Sequence, residues 1–75
     1  MELKILSPEK KIYQGKVKKV ILPGKNGQFQ ILEDHADLFA ILEKGDIILE
    51  KGRRFPVFSG IVRVSGDKIL VLIDS

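Results

Sequence analysis

The chain has 75 residues, 44% hydrophobic and 31% charged, a length that fits one small domain over residues 1–75 and excludes multidomain enzyme architectures. It holds no cysteine, no run of about 18 apolar residues and no recognisable signal peptide, so we expect a cytosolic chain without disulfides, thiolate metal sites or membrane-spanning helices. The net charge of +3 is segregated, because residues 1–25 carry a net +5, residues 26–50 a net −5 and residues 51–75 a net +3.

Apolar and polar residues alternate in several short blocks, which predicts β-strands with one buried face. The alternating blocks are Leu3 to Ile5, Phe29 to Ile31 and Val62 to Val64. Residues 16–22 and 47–49 are rich in branched side chains, and residues 55–58 include a proline, which belongs at a sheet edge or bulge. Together these blocks indicate an all-β fold.

Turn residues separate the predicted strands. Residues 23–27 contain an Asn-Gly pair that tolerates positive φ at both positions, and residues 51–52 and 65–67 are typical of hairpin tips. Turns at this spacing favour an antiparallel β-sandwich or small barrel over a doubly wound sheet, which needs helices between its strands.

The periodicity of apolar residues leaves alternatives open for two segments. In residues 33–42, Asp34 is a possible helix cap and Leu38, Ile41 and Leu42 would share a helical face, so helix and strand are both compatible. Residues 68–73 are apolar on both faces of a strand. Such a strand is covered on both sides, either by its own chain or by a partner.

The sequence contains no pattern of residues that is typical of a catalytic site or a metal-binding site. His35 is the single histidine and has three carboxylates nearby in sequence, but a first-row metal site needs further ligands from separated positions. No serine lies in a Gly-x-Ser-x-Gly motif, and residues 24–27 lack the spacing of a phosphate-binding loop. We therefore expect no catalytic residue, no metal and no cofactor.

Nucleic-acid binding is the alternative that the basic residues support. Small basic barrels bind nucleic acids with lysines on the phosphates and aromatic rings under the bases. Here Tyr13 lies among the N-terminal lysines, with Phe39 or Phe58 as the second ring. A solvated basic face is the simpler interpretation of the same residues.

A family resemblance extends over nearly the whole chain. It is carried by Leu3-x-Ile5-x-Ser7-Pro8-Glu9, Tyr13-x-Gly15-x-Val17, Val20-x-Leu22-Pro23-Gly24-x-x-Gly27-x-Phe29-x-Ile31-Leu32, His35-Ala36-x-Leu38, Leu42-x-x-Gly45, Ser59-Gly60, Val62-x-Val64 and Leu70-Val71-Leu72. In their order and spacing these fragments resemble the N-terminal β-domain of the epsilon subunit of F-type ATP synthases. The resemblance implies a flattened sandwich of about 8–10 short strands, with Glu33 to Asp37 as a loop and Leu38 to Leu42 as a strand.

The resemblance also implies a non-catalytic rotor role. In that family the domain lies at the foot of the central stalk, bound to the gamma subunit and to the membrane c-ring, peripheral to the cytoplasmic side of the membrane. It implies a c-ring-facing region formed by Gln28, Gln30, Glu33, Asp34, His35 and Asp37. It places Phe39, Ala40 and Leu42 near the gamma-facing surface.

The chain departs from the family pattern in and after this region. Gln28 stands where the family has an acid, Gln30 where it has glycine, Glu33 and Asp34 where it has proline and its neighbour, and Asp37 where it has proline. Most relatives continue beyond the position of Ser75 into a two-helix hairpin. We therefore expect ATP binding and inhibition by that hairpin to be absent from these 75 residues.

Overall fold

A computed structural model describes residues 1–74 and contains nine strands in that range. Their bounds are β1 Glu2–Leu6, β2 Lys11–Lys16, β3 Lys19–Gly24, β4 Gly27–Leu32, β5 Leu38–Leu42, β6 Gly45–Leu49, β7 Arg54–Val57, β8 Ser59–Ser65 and β9 Lys68–Asp74. A single 3₁₀ turn, Glu50–Gly52, connects β6 to β7. The predicted all-β class and strand number are confirmed.

The nine strands belong to one continuous hydrogen-bonded sheet, which curls into two layers. One layer has the order β2-β1-β9-β8-β5, and the other places β3 between β4 and β6, with β7 beyond β6. The layers join where β3 meets β5, at the pair Gly24 and Leu42. All pairs are antiparallel except β1 with β9, which is parallel. Strand β7 lies at a sheet edge, as its Pro56 predicts.

The core fills the space between the two layers. Inward residues of neighbouring strands pair across the five-stranded layer, so that Val62, Val71 and Ile5 form one buried row. No charged or polar side chain is buried among residues 1–74. The fully buried side chains are Leu3, Ile5, Val20, Leu22, Ile31, Leu42, Ile47, Val62, Ile69 and Val71. Burial of this one apolar cluster is the main stabilising term.

Strand register sorts the connections into two ends of the sandwich. One end, which we call the 33–37 end, carries residues 17–18, 33–37, 50–53 and 66–67. The opposite 25–26 end carries residues 7–10, 25–26, 43–44 and 58. The molecule measures 28 × 26 × 22 Å. The two ends are therefore separated by about the length of one strand.

Two local predictions need correction. The block 16–22 is not one strand, because the chain turns at Val17 and Lys18, where the Val17 amide donates to the Met1 carbonyl oxygen. In the β3–β4 hairpin the loop residues are Lys25 and Asn26, and Gly27 alone has a positive φ, of 119°. The segment 33–42 is a loop followed by β5, as the resemblance implies.

The last strand, β9, is central but is covered on one face only. Ile69, Val71 and Ile73 point into the core, whereas Leu70 and Leu72 on the other face are 37% and 40% exposed. The prediction that the chain itself covers both faces of this strand is therefore wrong for residues 1–74. The other alternative, in which a partner covers the second face, stays a prediction.

Candidate functional site

The outer face of the five-stranded layer is an exposed apolar surface. Cross-strand pairing aligns Ile41 of β5, Ile61 of β8, Leu72 of β9 and Leu6 of β1 in one row. Directly paired residues lie on the same face of a sheet, about 5 Å apart, so this row is continuous. We call the six residues Leu6, Phe39, Ile41, Ile61, Leu70 and Leu72 the apolar face.

A second row on this face mixes apolar and cationic side chains. Phe39 pairs with Arg63, Arg63 with Leu70, and Leu70 with Lys4. Phe39 is 64% exposed and Ile41 is 51% exposed. Large apolar side chains grouped on one face in this way mark a surface made for contact, whereas single exposed ones are ordinary.

The residues expected near the gamma-facing surface divide between the two sides of β5. Phe39 points outward, whereas Ala40 packs against the core and Leu42 is 1% exposed. A side-chain contact of Leu42 with a partner is therefore incompatible with this packing, because strand neighbours alternate between faces. The exposed neighbour on β5 is Ile41, which the sequence prediction did not include.

The 33–37 loop is an acidic, exposed connection with defined anchors. The amide of His35 donates to the carbonyl oxygen of Leu32 at 3.2 Å, and Asp34 at the turn has a φ of 66°. The Asp37 carboxylate accepts the amide hydrogen of Gly66 at 2.8 Å, which attaches the loop to the β8–β9 hairpin. The loop is thus fixed at both sides while its polar groups face solvent.

Loop residues Glu33, Asp34, His35 and Asp37 lie together at the 33–37 end, whereas Gln28 and Gln30 do not join them. Both glutamines point outward from β4, and Gln28 lies beside the hairpin at the 25–26 end. Five residues of extended chain separate Gln28 from Glu33, or about 17 Å. The predicted c-ring-facing set therefore occupies two places on the structure.

The loop has no arrangement suited to metal binding. Within residues 1–74 no three His, Cys, Asp or Glu side chains converge as cation ligands would. The imidazole of His35 is exposed, and its Nδ1 donates to the carbonyl oxygen of Ala36 at 2.8 Å.

In the described part of the chain, no helix has the length and apolar character to cross a membrane.

Tyr13 and Phe39, two of the aromatic residues considered for nucleic-acid binding, do not form one platform. Tyr13 pairs with Ile5 in the inward row and contacts the Phe55 ring, with centroids 5.5 Å apart. Phe39 points outward on the far side of the same layer. Stacking successive bases needs rings on one surface, so these two do not act together.

Comparison with known proteins identifies the family. A family model described as "ATP synthase, Delta/Epsilon chain, beta-sandwich domain" matches residues 1–75. The ATP synthase epsilon chain of Chlorobaculum tepidum is 39% identical over 74 residues, which cover 93% of this chain and 84% of the relative. The epsilon chain of Leptospira interrogans is 38% identical over 77 residues, covering 99% of this chain and 61% of the relative. The chain therefore spans about three fifths to four fifths of these relatives.

Solved structures show the same fold at low sequence identity. A chain of the Tetrahymena thermophila mitochondrial ATP synthase central stalk/c-ring structure superposes with a TM-score of 0.81 at 13% identity, over 99% of this chain and 63% of that one. A chain from the Euglena gracilis mitochondrial ATP synthase gives 0.83 at 17% identity, over 95% and 48%. With a family model that covers every residue and relatives near 40% identity, the chain belongs to the family of ATP synthase delta/epsilon-chain β-sandwich domains.

Proposed function

We propose that this chain is a non-catalytic coupling subunit of the rotor of a proton- or sodium-translocating F-type ATP synthase. In this role residues 1–75 form one domain that binds the gamma subunit and the membrane c-ring. The chain lies on the cytoplasmic side of the membrane and is peripheral to it. It binds no nucleic acid and carries no cofactor.

The apolar face is the observation that carries the proposal. A monomeric domain with Phe39, Ile41 and Leu72 exposed on one sheet leaves apolar surface in water, and a docked partner would remove it. Interfaces are typically apolar at the centre and charged at the rim. Arg63 and Lys4 alternate with Phe39 and Leu70 in the second row, so that cations lie beside the four-residue apolar row. The gamma subunit is the partner that family membership suggests for this face.

The 33–37 loop supplies the second docking surface of the proposal. Its carboxylates are exposed, and the loop lies at an end of the sandwich while the apolar face occupies a side. A polar surface of this kind suits contact with polar loops of a c-ring, and it requires basic or amide groups opposite Glu33 and Asp34.

Rigidity between the two surfaces is what coupling requires. The Asp37 contact with Gly66 ties the loop directly to the hairpin of β8 and β9, the two strands at the centre of the apolar face. The densely packed core and continuous hydrogen bonding resist deformation between them. Torque applied at one surface would then reach the other without slippage.

Binding to purified gamma subunit tests the proposal. We expect Leu72→Asp to weaken gamma binding at least about 30-fold, because it places a carboxylate at the centre of an apolar contact. Leu32→Asp is the matched control, since Leu32 is 47% exposed on β4 of the other layer and lies outside the apolar face. Affinity is measured on immobilised gamma, with circular dichroism to confirm folding.

The same protein variants also test the alternative function, nucleic-acid binding. Gamma binding that survives Leu72→Asp, or that is lost equally in both variants, would contradict the proposed docking face. A salt-dependent mobility shift with single-stranded RNA, together with no gamma binding by the unmodified chain, would favour a nucleic-acid-binding barrel.

A further inference from the structure

A basic pocket lies at the 33–37 end, outside the apolar face. Its volume is about 680 Å³, within the range of small-molecule sites. Its lining also includes the apolar residues Val17 and Leu49, together with Met1 and Tyr13. Its polar lining comprises four cationic and two acidic side chains, namely Lys16, Lys18, Lys51, Arg53, Glu33 and Glu50.

Arg53 is held in place by aromatic rings. Its guanidinium carbon lies 5.2 Å from the Tyr13 ring centroid and 5.1 Å from that of Phe55. The Tyr13 ring folds over Gly15, where a Cβ would lie only 2.9 Å from the tyrosine oxygen. Glycine at position 15 therefore gives Tyr13 the space to support Arg53. A guanidinium oriented by stacking loses less entropy when it binds an anion.

The cations of the pocket are not neutralised by ion pairs. Within residues 1–74 the one ion pair joins Arg54 to Asp46, at 3.4 Å, and neither residue lines the pocket. Glu50 is already engaged, because its Oε1 accepts the Lys18 amide hydrogen at 2.6 Å. Four cationic residues thus line the pocket with two acidic ones, and one of the two carboxylates has a backbone partner.

We propose that this pocket binds a phosphate group of a small anionic molecule. Arginine recognises phosphate oxygens with two parallel N–H donors, and lysines add charge-assisted hydrogen bonds. Arg53 is the orienting residue, and Lys16, Lys18 and Lys51 surround the anion. A cavity larger than one phosphate suits a phosphate ester, whether a soluble one or a lipid headgroup. This assignment does not depend on the docking of gamma.

Titration with sodium pyrophosphate tests the site in the full 75-residue chain. Amide chemical shifts are followed by NMR at constant ionic strength, so that general screening is held fixed. We expect saturable shifts confined to residues 16–18 and 50–53. Arg53→Gln should weaken binding about tenfold, as expected for a lost charge-assisted hydrogen bond.

The neighbouring variant Arg54→Gln is the matched control, because it removes the same charge outside the pocket, and it should leave the affinity unchanged. Absent shifts, shifts spread over remote lysines, or equal weakening in both variants would overturn the proposal. Co-sedimentation with phosphatidylcholine vesicles, with and without phosphatidic acid, distinguishes the source. Vesicle binding that pyrophosphate displaces and Arg53→Gln abolishes identifies a lipid phosphate, whereas pyrophosphate binding alone identifies a soluble one.

Discussion

Gly60 shows how one residue of β8 depends on the close approach of its neighbour β9. A Cβ at this position would overlap the carbonyl oxygen of Leu72 and lie 3.0 Å from Cγ2 of Ile73. We expect Gly60→Ala to lower the free energy of unfolding by about 2 kcal/mol, because backbone has to move to relieve the overlap. Urea denaturation measures this change. Ser59→Ala, at the exposed neighbour, should change stability by less than about 0.5 kcal/mol, and equal effects would refute the steric explanation.

The need for glycine at position 60 cannot be predicted from the alternation of apolar and polar residues. Alternation of Val62 and Val64 is sufficient to predict which side chains of β8 point inward. It carries no information on which strand lies beside β8 or how closely. The steric demand at Gly60 arises from pairing with Ile73, a contact thirteen residues away in sequence.

The hydrogen bond from Gly66 to Asp37 joins two elements, the 33–37 loop and the β8–β9 hairpin. Removing the carboxylate leaves the amide to water, which costs about 1 kcal/mol locally. We expect Asp37→Ala to speed amide hydrogen exchange at Gly66 roughly fivefold, with global stability little changed. Asp67→Ala removes a carboxylate from the hairpin itself and should leave exchange at Gly66 slower than in Asp37→Ala. Equal exchange in both variants would mean that Asp37 does not anchor the loop.

Strands with one clear polar face could be predicted, and those whose ends depend on distant contacts could not. Phe29 to Ile31 lies in β4 and Val62 to Val64 in β8, as alternation indicated. The break at residues 17–18 could not be seen, because Lys18 is held by the carboxylate of Glu50, which is 32 residues away. Residues 38–42 fit a helical face and a strand equally well, so pairing of β5 with β8 decides the structure.

The candidate site could be predicted only in part, because strand pairing also determines which residues share its surface. The doubly apolar β9 predicted cover on both faces, by its own chain or by a partner, and Leu70 and Leu72 lie on the face that its own chain leaves uncovered. Ile41 joins that face through two intervening strand pairings, which no local pattern encodes. The resemblance supplied Phe39 but also Leu42, whose side chain fills the core. A period-two count along residues 38–42 separates the two residues, once a strand is assumed.

The proposed contacts fall on surfaces with different chemistry. The apolar face is on the five-stranded layer, and the acidic 33–37 loop is at one end. Folding also redistributes the charge segregation of the sequence, because Lys18 and Lys51 come to lie beside Glu33 in one pocket. Orientation on partners is then governed by local charge at each surface and not by the net charge of +3.

Charge reversal at Glu33 tests which end of the molecule meets the c-ring in the proposed complex. We expect Glu33→Lys to weaken binding to the solubilised c-ring severalfold, more strongly at low salt, and to leave gamma affinity unchanged. Glu43→Lys, which makes the same charge change at the exposed 43–44 turn of the opposite end, should bind the ring normally. Gln28→Lys tests ring binding at the opposite end of the molecule, because Gln28 lies near the 25–26 hairpin. Ring binding that tolerates Glu33→Lys but fails with Gln28→Lys would place the ring at the 25–26 end, and the acidic loop would then face away from the membrane.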